Sequence, residues 1–235
     1  MARIAVTDGM SPKAIAMLEN EGHEVVVRHH EQEEISNGSL ALFDAVVIRS
    51  ATKLTAQQIS SSLTTEGGIR FIGRAGVGVD NIDIDEATKN RIVVCNTPGA
   101  STRSVVEFTI GHLIASTRNI ATADRNLRAG DWAKKRLRGS EIGGKRLGLL
   151  GFGRISRGVA QAARSFGMEV HAYDPYVRGE ISEVIMHDDV DEIFRHCTHV
   201  SVHCNLTDET RNFVNLDRIS LMPGIGADGI ECGNH

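Results

Sequence analysis

Several kinds of sequence are scarce or missing in this chain of 235 residues. No apolar run approaches the roughly 18 residues that span a bilayer, and the N-terminus enters a strand pattern without the features of a signal peptide. Aromatic residues make up only 4%, which disfavours a stacking platform for single-stranded nucleic acid. The net charge of −4 gives no basic surface for a polyanion. These absences indicate a globular protein, and the cytoplasm is the expected compartment.

The spacing of the four cysteines gives no indication of a metal site. None of them has the CxxC spacing of metal sites, so we expect free thiols and no bound metal. They are Cys95, Cys197, Cys204 and Cys232. The apolar fraction of 41% and the charged fraction of 24% are ordinary for a globular protein, and the length suggests one large domain or two small ones, each big enough to bury a core.

Short apolar runs alternate with amphipathic stretches along residues 1–95, which predicts a βα-alternating lobe. The runs are almost continuously apolar, as in a parallel sheet that is covered on both faces. Helix starts are marked by Ser11 before Pro12, and by Thr55 with Gln58 in a capping box. The strands are predicted at residues 4–6, 25–27, 45–48, 69–72 and 92–94. One long helix is predicted over residues 101–128, and a second βα lobe begins at residue 145.

A glycine-rich turn opens this second lobe. An apolar strand at residues 147–150 leads into Gly151 and Gly153, and helical periodicity follows. Gly151 permits a tight turn, and Gly153 lets the backbone approach a pyrophosphate at the helix N-terminus. Asp174 ends the next strand, where a carboxylate accepts hydrogen bonds from a ribose 2′-OH and repels a 2′-phosphate. The pattern predicts NAD binding, although Ser156 stands where glycine or alanine is usual. The alternative is an ordinary tight turn without a ligand.

With these motifs in view, the sequence resembles the NAD-dependent D-2-hydroxyacid dehydrogenases. The resemblance spans residues 1–224 and is strongest to members that oxidise 3-phosphoglycerate in serine biosynthesis. The segments that carry it are residues 48–55, 73–83, 96–99, 151–155 and 173–176.

This resemblance implies an α/β protein with two doubly wound parallel-sheet lobes. Residues 1–96 would form a flavodoxin-like substrate lobe. Residues 97–235 would form a Rossmann NAD-binding lobe that is truncated and ends in an irregular tail, 225–235. A homodimer through helix 101–128 is also implied, with a small-molecule substrate in the cleft between the lobes.

The resemblance also implies particular site residues. For substrate these are Arg49 and Arg74, both near strand ends, with an anion-binding nest of backbone amides from Gly76, Val77 and Gly78. Each arginine, taken singly, could equally form a surface ion pair. For the cofactor they are the backbone of Arg154 and Ile155, the carboxylate of Asp174, and a contact near Cys204. We interpret Cys204 as a small spacer because no base or metal partner is evident.

The match to the family is lost after Gly224. In the family an arginine orients the substrate, and a histidine held by a glutamate exchanges the hydroxyl proton. Cys232 stands near the expected arginine position, and His235 has no positioned partner. We therefore expect that the three catalytic residues are absent, that the sequence is an incomplete reading of a longer enzyme, and that the chain alone is inactive. The alternatives are a glyoxylate or hydroxypyruvate reductase and a non-catalytic NAD-binding or partner-binding module.

Overall fold

The computed structural model describes residues 1–65 and 67–223. The chain divides into two compact units, Met1–Ser101 and Thr102–His235. Each unit contains its own parallel sheet, so the predicted α/β class with two parallel-sheet lobes is confirmed. The sequence-based boundary, after residue 96, stays a prediction.

The first unit is built on a five-stranded parallel sheet of order β2-β1-β3-β6-β7. This is the flavodoxin-like order, in which ligands bind beyond the carboxyl ends of the strands. Its elements are β1 (Arg3–Val6), α1 (Pro12–Asn20), β2 (Glu24–Val27), α2 (Gln32–Ser36), β3 (Ala45–Ile48), α3 (Ala56–Ser61), the short antiparallel pair β4 (Leu63–Thr64) and β5 (Gly67–Gly68), β6 (Phe71–Arg74), α4 (Ile84–Lys89) and β7 (Val93–Asn96).

The predicted helix starts in this unit are confirmed. The Ser11 side chain accepts a hydrogen bond from the Ala14 amide at the start of α1. Thr55 and Gln58 form the reciprocal capping box of α3. The fully buried members of the core include Ile35, Leu40, Val46, Ile48, Leu54, Ile59 and Ile72.

Two strand predictions in this unit are shifted. The runs at residues 69–72 and 92–94 predicted strands, but β6 and β7 begin later, at Phe71 and Val93. The reason is that Ile69 and Ile92 are buried while their amides bond outside the sheet. The Ile69 amide donates to Ser62 O, and the Ile92 amide donates to Ala87 O. An apolar run indicates that its residues are buried, but it does not by itself show that they pair in a sheet.

The second unit is built on a four-stranded parallel sheet of order β10-β9-β8-β11. This order equals the 3-2-1-4 part of the dinucleotide-binding arrangement. Its elements are α5 (Thr102–Thr117), α6 (Ile120–Arg128), β8 (Arg146–Leu150), α7 (Arg154–Ser165), β9 (Glu169–Tyr173), β10 (Ile185–His187), α8 (Val190–His196), β11 (His199–Val202) and α9 (Leu216–Leu221).

The single long helix predicted over residues 101–128 is wrong, because the segment forms α5 and α6 with a break between them. Asn119 adopts a left-handed conformation with φ 53°, which an α-helix does not continue through. The connector between α6 and β8, residues 129–145, forms hydrogen bonds with the end of α5. The Ser140 amide donates to Thr117 O, and Asn119 Nδ2 donates to Arg138 O. Periodicity alone did not reveal these competing hydrogen bonds.

Some sequence-based expectations concern residues 224–235, including Cys232 and His235, and these lie outside the described residues. Cys95, Cys197 and Cys204 are free thiols. Within residues 1–65 and 67–223, no group of three or more His, Cys, Asp or Glu side chains is arranged to hold a metal ion. Over the same residues, every helix is too short or too polar to cross a membrane.

Candidate functional site

The glycine turn between β8 and α7 has the form that the sequence predicts. Gly151 adopts φ +86°, a conformation that a side chain disfavours. A Cβ placed there would lie 2.7 Å from the Cys204 backbone nitrogen, so the two chain segments approach too closely for any residue but glycine. The Gly151 amide donates to Tyr173 O over 2.8 Å. Gly151 is therefore fixed by the fold itself, between β9 and the loop after β11.

Gly153, in contrast, faces open space. It is the N-cap of the 12-residue helix α7, its φ of −82° is allowed for any residue, and a Cβ there would meet nothing within 4 Å. In the described part of the chain, the amides of Arg154, Ile155 and Ser156 have no hydrogen-bond partner. Unpaired amides at a helix N-terminus bind anions. The cradle therefore fits a dinucleotide pyrophosphate, with the side chain of Arg154 exposed and that of Ile155 partly buried.

Asp174 connects the glycine turn to the end of β9. Its Oδ2 accepts a hydrogen bond from the Phe152 amide at 2.8 Å, and its Oδ1 accepts one from the Tyr176 amide at 2.9 Å. Each oxygen of a carboxylate accepts a further hydrogen bond. The carboxylate is thus held in one orientation with acceptor capacity to spare. Its predicted contact with a ribose hydroxyl stays a prediction.

The loop after β11 contacts the same turn. Cys204 packs against Gly151, and its interpretation as a small spacer stays a prediction. Burial raises the pKa of the Cys204 thiol, which lowers its thiolate fraction and disfavours a nucleophilic role. Burial likewise lowers the pKa of His203, whose amide donates to Leu150 O.

Ser156, at the third position of the glycine motif, is fully buried on the inner face of α7. Its Oγ has no hydrogen-bond partner among the described residues. Two residues further along, Gly158 lies close to the Val106 side chain of α5. The serine is therefore accommodated in the core, with an unpaired hydroxyl.

In the first unit, the two predicted arginines lie at one edge of the sheet. Ile48 of β3 pairs in register with Arg74 of β6, so Arg49 follows one residue beyond this pair. The Arg49 side chain is exposed and has no partner among the described residues. Arg74 is partly buried, and its guanidinium lies across Gly76, where a Cβ would overlap it. The structure thus places both arginines at the carboxyl edge, as expected for an anion site.

The loop after Arg74 was predicted to offer three backbone amides. The Gly76 amide already donates to Arg74 O, and the Val77 carbonyl accepts from Asn96 Nδ2 at 2.7 Å. Val77 and Gly78 have amides without a partner in the part of the chain that the structure describes. The nest stays a prediction, and these two amides are its available donors.

Sequence reasoning missed two side chains at this edge, Asp8 and Asn81. Asp8 lies just beyond β1 and accepts hydrogen bonds from the Arg49 and Thr52 amides. Partial burial raises the pKa of Asp8, but the hydrogen bonds from Thr52 and Arg49 outweigh this and keep the pKa below its ordinary value. The available signal was an acidic residue directly after the first strand, at the edge where the arginines lie.

Comparison with known proteins agrees with this geometry. Residues 110–225 match the family described as D-isomer specific 2-hydroxyacid dehydrogenase, NAD binding domain. The chain is 40% identical over 225 residues to D-3-phosphoglycerate dehydrogenase of Methanocaldococcus jannaschii. This alignment covers 94% of this chain and 42% of that protein. It is also 40% identical over 221 residues to hydroxypyruvate reductase of Thermotoga maritima, covering 94% of this chain and 70% of that protein.

A solved structure of NAD⁺-bound 3-phosphoglycerate dehydrogenase from Entamoeba histolytica superposes with a TM-score of 0.78 at 29% identity, over 96% of this chain and 70% of that chain. The chain spans about two fifths of the curated 3-phosphoglycerate dehydrogenases that it matches, 42% and 41% in two of them. The second unit is therefore an NAD-binding domain, and the chain belongs to the family of D-isomer specific 2-hydroxyacid dehydrogenases.

Proposed function

We propose that the reaction of this chain's enzyme lineage is the NAD-dependent oxidation of a 2-hydroxy acid, with 3-phosphoglycerate converted to 3-phosphohydroxypyruvate. The observation that carries the proposal is the glycine turn with its open cradle at Gly153 and the oriented carboxylate of Asp174. Bound NAD would supply the hydride acceptor. The amides that open α7 would hold its pyrophosphate, and Asp174 would hold its ribose and disfavour NADP.

Arg49 and Arg74 support the choice of substrate. Two guanidinium groups at one sheet edge, with the amides of Val77 and Gly78 nearby in sequence, suit a ligand that carries both a carboxylate and a phosphate. The relatives named 3-phosphoglycerate dehydrogenase favour the same substrate. The Thermotoga maritima relative favours a second candidate, the reduction of hydroxypyruvate or glyoxylate. Comparing the affinities of 3-phosphoglycerate and hydroxypyruvate separates the two.

We further propose that the 235-residue chain binds NAD without turnover, because Cys232 stands where the resemblance expects an arginine. A non-catalytic NAD-binding module would behave in the same way. The two are separated by fusing to the chain the catalytic segment of a family relative: a dehydrogenase gains NADH production, and a binding module does not.

A homodimer is also proposed, through the faces of α5 and α6. Large apolar side chains are exposed along and just beyond these helices: Phe108, Ile120, Leu127 and Trp132. Sedimentation of the unchanged chain against a Phe108→Glu, Leu127→Glu variant tests this. A monomeric unchanged chain would contradict it.

Substituting Gly153 tests the cofactor site. Gly153→Val adds a side chain where nothing lies within 4 Å, so the fold should persist while the pyrophosphate approach is blocked. We expect the Kd for NADH, followed by nicotinamide fluorescence, to rise by about tenfold or more. Gly99→Val is the matched control, since its Cβ also meets nothing within 4 Å and it lies in the first unit. Unchanged NADH affinity in Gly153→Val would refute the site.

A further inference from the structure

Two side chains from distant parts of the first unit hold the backbone of residues 49–52. Asp8 follows β1, Asn81 lies in the loop after β6, and the held segment follows β3. We call Asp8 and Asn81 the backbone clamp. Asp8 lies outside the segments that carry the family resemblance, and Asn81 lies inside one of them, 73–83, without a role assigned to it there.

Asp8 binds the N–H groups of the segment. Its Oδ2 accepts from the Arg49 amide at 2.7 Å and from the Thr52 amide at 3.0 Å, and its Oδ1 accepts from Thr52 Oγ1 at 2.6 Å. Thr52 Oγ1 is also 2.7 Å from Thr7 Oγ1. Because Thr52 has given its only proton to Asp8, Thr7 is the donor of this second bond. Thr7 Oγ1 also lies 3.5 Å from Asp8 Oδ1, so its one proton is shared between a short contact with Thr52 and a long one with Asp8.

Asn81 binds the carbonyl groups of the same segment. Its Nδ2 donates to Arg49 O at 2.8 Å and to Thr52 O at 2.7 Å. The Leu54 amide donates to Asn81 O at 2.8 Å, which ties the two loops together. Both the donors and the acceptors of Arg49 and Thr52 are thus held by side chains, where a free loop would bond to water.

The clamp leaves the guanidinium of Arg49 available. Asp8 accepts short hydrogen bonds from two amides and the Thr52 hydroxyl and a long one from the Thr7 hydroxyl, and no arginine side chain of the described residues bonds to it. The Arg49 side chain is exposed at the sheet edge, next to the register position of Arg74. Charge-assisted bonds from backbone amides stabilise the Asp8 carboxylate without drawing Arg49 into an ion pair.

We propose that Asp8 and Asn81 are positioning residues that hold the Arg49 backbone so that its guanidinium meets an anionic 2-hydroxy acid. The inference rests on the proposed function, because it requires that the first unit binds this acid. A fixed backbone reduces the ordering cost of binding, since only the Arg49 side chain is left to be immobilised by the ligand. Loss of the clamp therefore weakens acid binding without touching the acid directly.

The test is calorimetric titration of the whole 235-residue chain with 3-phosphoglycerate and with hydroxypyruvate, at saturating NAD. Asn81→Ala, Asp8→Asn and Thr52→Val each remove hydrogen bonds of the clamp. We expect their Kd values for the preferred acid to rise by about tenfold, with NADH affinity unchanged. Thr52→Ser keeps the hydroxyl and should restore the affinity to within about twofold of the unchanged chain.

Ser62→Ala is the control for a purely structural effect. Ser62 is fully buried in the same unit, and its Oγ donates to Gln58 O at 2.6 Å, away from the clamp. It should lower the melting temperature and leave acid affinity unchanged. If Ser62→Ala weakens acid binding as much as Thr52→Val does, or if the clamp variants bind normally, the inference is overturned while the proposed function stands. If the unchanged chain binds neither acid, both fail.

Discussion

Both units are built on a parallel sheet, but the ionisable groups whose pKa values are shifted differ between them. In the first unit, hydrogen bonds and neighbouring cations lower the pKa values of four carboxyl groups, those of Asp8, Glu34, Asp44 and Glu86. In the second unit, burial lowers the pKa values of three imidazoles, those of His187, His199 and His203. His30 is the one imidazole of the described first unit with a lowered pKa. The pKa shifts in the first unit thus mostly favour ionised carboxylates, and those in the second favour neutral imidazoles.

The edges where ligands are proposed to bind differ in the same sense. The first unit presents charged side chains whose backbone is held by other side chains. The second presents backbone amides at a glycine turn and one oriented carboxylate. The same parallel-sheet architecture is therefore proposed to bind its ligand through side chains in the first unit and through backbone amides in the second. Substitutions and pH should accordingly affect the units separately.

The largest expected effect comes from Gly151→Val. The residue adopts φ +86°, and its Cβ would lie 2.7 Å from the Cys204 backbone nitrogen. A left-handed conformation costs a side-chain residue about 1–2 kcal/mol, and overpacking costs about 1–3 kcal/mol more. We expect the free energy of unfolding of the second unit to fall by about 3 kcal/mol in urea. Gly153→Val should keep its stability, and an equal loss in both variants would contradict the distinction between the two glycines.

Mild acid should affect the second unit before the first. Burial lowers the folded-state pKa of His187, His199 and His203 below the unfolded value of about 6.5, so the unfolded chain binds more protons as the pH falls below neutrality. Stability contributed by the neutral imidazoles is present above that value and is lost on acidification. Melting between pH 7 and pH 5, with hydrogen-exchange labelling at one fixed pH to identify the unit, measures the effect.

His187 is the residue to change in this experiment. His187 Nε2 lies 2.8 Å from His171 Nδ1, so one ring nitrogen donates and the other accepts. His196 packs beside both rings, and Glu169 bonds to His171 on its other side. His187→Gln should make the second unit less sensitive to acid. If the first unit melts earlier at pH 5, the comparison fails.

Stronger acid should destabilise the first unit by protonating Asp8. Its folded-state pKa lies below the model-peptide value of 3.8, so its ionised form contributes stability above that pH and loses it as the pH falls through the folded-state pKa. Asp8→Asn should lower stability at pH 7 and remove this part of the acid dependence below pH 4, a smaller change than that at Gly151. An unchanged acid profile in Asp8→Asn would show that other carboxyl groups, such as Asp44, carry the dependence.

Local patterns predicted more of this molecule than contacts between distant segments did. The capping box at Thr55 and the turn at Gly151 lie within a few residues, so spacing and residue type determine them. The clamp joins Asp8 to residues that lie 41 and 44 positions away, which no local pattern records. The break at Asn119 likewise depends on the connector between α6 and β8, 19 residues further on. The strand β10 was missed because its three residues end in a histidine and so do not form a continuous apolar run like those of the predicted strands.

The smallest expected effect concerns Ser156, where the sequence departs from the usual glycine or alanine. Its Oγ is buried without a partner among the described residues, so replacing it removes an unsatisfied polar group. Alanine also favours the helix interior. We expect Ser156→Ala to stabilise the second unit by about 0.5–1 kcal/mol, which calorimetry would register as a rise of a few degrees in Tm. NADH affinity should be unchanged, since the hydroxyl faces the core and the amide of residue 156 is retained. A loss of stability would mean that Ser156 Oγ has a hydrogen-bond partner in solution, such as a buried water, and that the helix–sheet contact of the second unit is less apolar than its side chains indicate.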